Sequence, residues 1–290
     1  MRRRTRDKAI KWVAIVALLV WSLVPMYWGL RLAFSYEVEI ATFPPVFFPK
    51  HPTPSAFVTI LGFPYKPSSG SIDLPAGRAP QVVRGLVNSL VISVAVTIVT
   101  MLVVIPLAYT FGRLNFPHKN ALFFALLFSV SLPPISITLP FYALYLKMNL
   151  TGTRVGLGIV TLVLTIPMVT WMTMGYYRGL PKIERLARVD GFSRWETLLR
   201  IVLPMSKTGI MVASIISFLF AWNEFTFSQI LVNGTPASTL PPVVSGFLFM
   251  HPEVSSLLAT VFYSLVPPFL VAYILQRHIT KMNIVETLVG

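Results

Sequence analysis

Glu224 is the one carboxylate inside a long apolar stretch of this 290-residue chain. An ionisable group at membrane depth is costly, so it faces a cavity or pairs with a partner. It stands in the run Trp222-Asn223-Glu224-Phe225. Two aromatic faces of the kind that pack on sugar rings there flank an amide and a carboxylate. This set could line a translocation path or gate. It could equally be a structural pairing, with Asn223 or a neighbouring span, that fixes helix packing. Other chemistry is missing. There is no G-x-x-x-x-G-K run followed by Ser or Thr, hence no loop to cradle phosphates. His51, His118, His251 and His278 are scattered without zinc-ligand spacing. No G-x-S-x-G elbow occurs. The chain has no cysteine, which removes disulfides, thiolates and cysteine metal sites. These residues make no bond and hydrolyse no ATP. Energised work would need a separate ATPase.

The second chemical concentration is residues 180–204, LPKIERLARVDGFSRWETLLRIVLP, the most densely charged part of a mostly apolar sequence. Asp190-Gly191 is a turn pair: Gly tolerates a left-handed backbone and Asp can hydrogen-bond locally. Ser193 and Glu196 have capping-box spacing, so a second helix should start there. Pro204 lacks an amide hydrogen and restricts Leu203, so the chain should stop or restart there. The pattern predicts a helix-turn-helix. Ile183, Leu186, Ala187 and Phe192 could anchor the first helix in a partner's groove, the usual mode for an amphipathic helix. Trp195, Leu198, Leu199 and Val202 would serve the second. The expectation is that the second helix packs inward and the first meets the partner.

The elements that position these residues are membrane spans. The chain is 55% hydrophobic and 12% charged, with mean hydropathy +0.73, which is not the composition of a soluble domain. Apolar runs long enough to cross a bilayer are expected at 12–30, 85–111, 120–146, 155–177, 209–231 and 255–275. Pro133, Pro134 and Pro140 predict a kinked or broken third span. Gly152, Gly156, Gly175 and Gly179 have the small-xxx-small spacing that permits close helix packing. Residues 243–249 are apolar but too short to span, and suggest a re-entrant or interfacial piece. The tail from Gln276 is short. Three regions result: residues 1–34 with the first span, a Pro-rich segment 35–84, and a core 85–290. The Pro-rich segment reads either as ordered irregular structure with short helices or as a flexible loop.

The net charge of +14 follows the basic bias of membrane flanks and needs no nucleic acid partner. With the N-terminus inside, the inner segments carry 17 of the 24 Lys and Arg and the outer ones seven. This predicts an all-α membrane protein of about six spans, N-in and C-in, with residues 180–204 in the cytoplasm.

Residues 180–204 resemble the EAA loop of permease subunits in binding-protein-dependent ABC importers. Asp190-Gly191, Ser193, Ile201 and Leu203-Pro204 carry the likeness. Aligned on Asp190-Gly191, the Glu-Ala-Ala of that motif falls on Arg185-Leu186-Ala187, so Arg185 reverses a charge, and Phe192 stands where Ala is common. Asn88-Ser89-Leu90, Ala108-Tyr109 to Arg113, Phe116-Pro117, Pro140 to Tyr145 and Trp222 to Phe225 are similar to the maltose-type carbohydrate permeases. The likeness covers residues 85 to the end and is weak over 37–81.

The resemblance implies a transport subunit, not an enzyme, in the cell membrane. It implies a pore shared with a second permease subunit, two ATPase subunits that bind ATP and Mg, and an external solute-binding protein delivering a sugar. This chain itself would hold no cofactor. Ile183, Arg185, Leu186, Ala187, Asp190, Gly191, Phe192 and Ser193 would couple to the ATPase. Trp222, Asn223, Glu224 and Phe225 would lie on the path. The other readings are an importer permease for phosphate, amino acids or peptides, a secondary transporter, and an intramembrane enzyme. The last would need paired carboxylates or metal ligands within the spans, where only Glu224 stands.

Overall fold

The computed structural model describes residues 2–67, 70–249 and 253–279; Ser69, His251 and the tail beyond Ile279 lie outside that description. Among the described residues there is no strand, only an isolated bridge between Tyr65 and Asp73. The helices are α1 (Arg2–Ala33), α2 (Glu37–Ile40), α3 (Ser55–Thr59), α4 (Ala79–Arg113), α5 (Lys119–Ser131), α6 (Pro134–Lys147), α7 (Arg154–Gly179), α8 (Glu184–Val189) and α9 (Arg194–Glu196). A π turn follows (Thr197–Val202), then α10 (Leu203–Met205), α11 (Lys207–Trp222), α12 (Thr226–Leu231), α13 (Leu240–Phe249) and α14 (Val254–Ile279). Five of the described helical stretches are long and apolar enough to cross a membrane, and six if α5 and α6 count as one broken span.

Two compact units divide the chain: 1–83 with 244–263, and 84–243 with 264–290. In the first unit, α1 exposes nearly all of its apolar surface from Ile10 to Leu30, as a lipid-facing span should. Within this unit the described residues of the Pro-rich segment form α2, α3 and irregular structure held by aromatic packing and side-chain hydrogen bonds. The Phe57 ring lies against Phe34 and Tyr263, with centroids 4.9 and 5.9 Å away. Phe47 meets Trp28, and Phe48 meets Tyr27. The Glu37 carboxylate accepts from the amide (2.7 Å) and hydroxyl (2.6 Å) of Ser255 in the first turn of α14, where negative charge is favoured.

The second unit holds two buried clusters on α4 and α7. One gathers Ile92, Val96, Tyr145, Leu157, Val160, Phe227 and Leu231. The other gathers Val104, Ala108, Tyr109, Val169, Tyr177, Leu198, Val202 and Ala213. Asn88 and Ser89 have a definite task here. Asn88 Nδ2 donates to the carbonyls of Pro236 (3.0 Å) and Ser238 (2.7 Å), and Ser89 Oγ accepts from the Leu240 amide (2.9 Å). They satisfy backbone groups that a non-helical segment buried beside α4 would otherwise leave unpaired.

The third span is broken, as its prolines predict: α5 and α6 meet at 89°. The fifth span runs through from Lys207 to Leu231, but its helix is interrupted once, which its sequence does not signal. The run 209–231 is expected to be one helix, but α11 ends at Trp222 and α12 starts at Thr226. In the fourth span Gly156 is crowded by the turn before its own helix and not by a neighbouring span. A Cβ at Gly156 would stand 2.2 Å from the Leu150 carbonyl oxygen, whereas Gly175 and Gly179 face open space. The glycine that lets a neighbouring helix come close is Gly209 in α11, where a Cβ would lie 2.4 Å from the Tyr176 ring of α7.

Candidate functional site

The loop between α7 and α11 is built from its supports outward. Arg113, the last residue of α4, is its keystone. Its guanidinium grips Glu184 side-on, Nε to Oε1 at 2.5 Å and Nη2 to Oε2 at 3.0 Å. It also donates to the carbonyls of Tyr177 (3.0 Å), Leu180 (2.6 Å) and Pro181. A cation at the end of α7 satisfies carbonyls that a helix C-terminus leaves free. The two side chains are 4% and 18% exposed, so this is a largely desolvated pair. One side chain thus ties the ends of α4 and α7 to the first turn of α8.

The turn after α8 is a Schellman motif. The Phe192 amide donates to the Ala187 carbonyl (2.9 Å) and the Gly191 amide to the Arg188 carbonyl (3.1 Å). Gly191 takes φ +83°, the left-handed conformation its place in the sequence predicts. The next helix opens with the expected capping box. Ser193 Oγ accepts from the Glu196 amide (3.2 Å), and Glu196 Oε2 accepts from the Ser193 amide (3.0 Å). That amide and then the Ser193 hydroxyl hold the Glu196 carboxyl below its ordinary range. The box is therefore intact above the ordinary carboxylate pKa and is lost as pH falls through the depressed value.

The second helix packs inward. Leu198 and Val202 join the buried cluster around Tyr109 and Tyr177, while Trp195 and Leu199 stay exposed. The first helix turns a different face outward from the one its residue types suggest. Of the four expected anchors, Ala187 is buried, Phe192 is half-buried, and Ile183 packs against the Tyr109 cluster. Only Leu186 projects, at 67% exposure, and beside it stands Val189, at 86%. These two, at i and i+3, form one apolar ridge. Residue types alone do not single out Val189, because Ile183 and Ala187 suit the same helical spacing. Arg185 is exposed next to the ridge, and Asp190 is exposed at the turn.

The residues of the fifth span separate into two groups. Trp222 is buried and stacks on Phe218, with centroids 5.8 Å apart and rings 17° from parallel. Its ring is therefore committed to the core. Asn223, Glu224 and Phe225 line a cleft of about 520 Å³ together with Thr161, Thr165 and Pro134. Glu224 also explains the helix break. Its two carboxylate oxygens accept from the amides of Phe227 and Ser228, each at 2.8 Å, and so start α12. The pairing expected from the sequence, with Asn223 or a neighbouring span, is not the one made: Glu224 bonds local backbone amides, and Asn223 Nδ2 donates to the Leu219 carbonyl (2.9 Å).

Replacing Glu224 with Gln leaves one good acceptor for two amides. Glu224→Gln is expected to keep the protein in the membrane and reduce solute uptake several-fold. The unpaired amide costs on the order of 1–3 kcal/mol locally. Uptake at matched membrane levels checks this, and wild-type uptake would contradict it.

Similar proteins agree with this architecture. The chain is 27% identical over 281 residues to the sulfoquinovosyl glycerol transport system permease protein SmoH of Agrobacterium fabrum, covering 94% of this chain and 91% of that one. It is 24% identical over 284 residues to the trehalose/maltose transport system permease protein MalG of Thermococcus litoralis, covering 97% and 96%. The fold matches a chain in the crystal structure of a bacterial ABC transporter involved in the import of the acidic polysaccharide alginate. That match has a TM-score of 0.71 at 15% identity and covers 93% of this chain and 96% of that one. Residues 104–282, which contain the Glu184–Val202 loop and the Glu224 cleft, match the family model for the binding-protein-dependent transport system inner membrane component. With five or six apolar spans and this match over more than half its length, the chain is a multi-pass cell-membrane protein and belongs to that family of transport components.

Proposed function

We propose that this protein is the permease subunit of an ATP-driven ABC importer for a carbohydrate. The observation that carries the reading is the Leu186–Val189 ridge, held out from the spans by Arg113 behind it and by the Leu198–Val202 face beside it. Such a ridge suits a groove on a partner ATPase. The substrate class is supported by the names of two long-range relatives, which carry sulfoquinovosyl glycerol and trehalose or maltose. A second permease subunit would complete the pore. Two ATPase subunits would bind ATP and Mg, and an external solute-binding protein would deliver the sugar. ATP hydrolysis belongs to those partners; this chain supplies the path and the coupling loop.

In this mechanism, closure of the ATPase pair displaces α8. Arg113 passes the displacement to the ends of α4 and α7 together, because one guanidinium bonds both the loop and the α7 carbonyls. The spans then rock as rigid bodies between inward- and outward-facing states. The cleft at Asn223, Glu224 and Phe225 lies where the interruption of the fifth span's helix faces the broken third span, and irregular backbone is tolerated beside a polar path. Binding-protein-stimulated ATP hydrolysis in proteoliposomes, with and without sugar, tests the reading. Absence of stimulation in a fully assembled complex would overturn it.

The orientation is part of the proposal and rests on the Lys and Arg distribution. A reporter placed after Lys207 is expected to be cytoplasmic and one inserted at Lys66 external. A cytoplasmic reporter at Lys66 would contradict the N-in topology.

A further inference from the structure

Behind α8, on the side of the spans, lies a cleft of about 870 Å³. Its walls are the end of α4 and the residues after it, the end of α7, α8 itself and the start of the second loop helix. Arg178, Lys182, Arg185, Arg188 and Arg194 all line it and are all exposed. Arg113 also borders the cleft but is already bonded to Glu184 and three carbonyls. Glu184 is the sole acid among the described lining residues, and that same pair occupies its carboxylate. Five cations therefore share one concavity with no free counter-charge in its walls.

A cleft lined by one sign of charge focuses its field and concentrates ions of the opposite sign. Arginine forks match the oxygens of a phosphate group bidentately. Two of the walls are the ends of membrane-spanning helices, which sets the cleft at headgroup depth. Basic pockets between spans on the cytoplasmic side suit anionic lipid headgroups. Leu186 and Val189 are not among the lining residues. An occupant of the cleft would leave the ridge free for the ATPase.

We propose that this cleft binds the phosphate of an anionic phospholipid from the cytoplasmic leaflet, and that the bound headgroup braces α8 from behind. The proposal rests on the cytoplasmic placement of the loop given above. The test uses the assembled transporter in phosphatidylcholine nanodiscs with and without phosphatidylglycerol, and native mass spectrometry to count retained phosphatidylglycerol. Wild type is expected to retain it. The combined variant Arg178→Gln, Lys182→Gln, Arg194→Gln should lose roughly tenfold or more of it, while the ATPase still co-purifies. Arg178→Lys with Arg194→Lys keeps the charge and should keep the lipid. Equal retention by wild type and the Gln variant, with the ATPase present, would overturn the lipid site and leave the coupling reading intact. Loss of the ATPase from wild type would instead overturn the coupling reading. Displacement of the lipid by inorganic phosphate alone would assign the cleft to a soluble anion and overturn the lipid source.

Discussion

Arg113→Met is expected to be among the most damaging single substitutions outside the spans' apolar faces. It removes the donors to Glu184 and to the carbonyls of Tyr177, Leu180 and Pro181 in one step. What remains is a carboxylate with little solvent access and the carbonyls of Leu180 and Pro181 without this donor, while the Tyr177 carbonyl keeps only the Leu180 amide. Breaking a buried pair from one side costs about 3–5 kcal/mol, because the desolvated survivor keeps its penalty and loses its compensation. The measured signs should be a lower Tm in detergent, faster tryptic cleavage at Lys182 and Arg185, and loss of binding-protein-stimulated hydrolysis. Arg113→Lys should rescue little, since a point charge cannot reach a carboxylate and three carbonyls from one planar fork. The double variant Arg113→Met, Glu184→Leu should be less harmful than Arg113→Met alone, because no charge is then left stranded. A double variant no better than the single one would show that the carbonyl bonds, not the ion pair, hold the loop.

Gly191→Val is expected to abolish coupling while leaving the spans folded. Gly191 sits at φ +83° as the pivot of the turn between the two loop helices. Beyond its two chain neighbours no atom lies within 4 Å of where a Cβ would stand, so the penalty is conformational and not a collision. A β-branched residue in this region costs about 1–2 kcal/mol or more. The chain would relieve it by unwinding the turn, which breaks the Phe192 and Gly191 amide bonds and re-aims α8. Coupled ATP hydrolysis should fall to the unstimulated level with normal membrane yield. Gly191→Asn should retain most activity, because Asn enters the left-handed region at small cost. If valine and asparagine behave alike, backbone conformation is not what the glycine supplies.

Which parts were readable from the sequence follows from how local each cause is. The Asp190-Gly191 turn and the Ser193–Glu196 box are fixed within a few residues, and both stand where the residue types place them. The break at Pro133-Pro134 is equally local. The break at Asn223–Phe225 was hidden because nothing there forbids a helix. Glu224 ends one helix by capping the next, and a carboxylate in an apolar run reads as a functional charge before it reads as a cap. Arg113 and Glu184 stand 71 positions apart, and only the fold brings them together. The outward face of α8 is not legible in the sequence for a related reason. Over six residues the helical spacing does not say which apolar side chains belong to the protein's own core, and Ile183 and Ala187 do. Trp222 likewise reads as a sugar platform by type, yet its ring packs on Phe218.

On the proposed function, α8 enters a partner ATPase with Leu186 and Val189 leading. The chain has no cysteine, so a single introduced thiol reports on its own position. Cross-linking of the assembled transporter through Val189→Cys, with Ala187→Cys as the buried control, is the most direct measurement. A Val189→Cys adduct with the ATPase, and none from Ala187→Cys, is the predicted result. No adduct from Val189→Cys or Leu186→Cys, in a complex that still hydrolyses ATP in response to the binding protein, would contradict it.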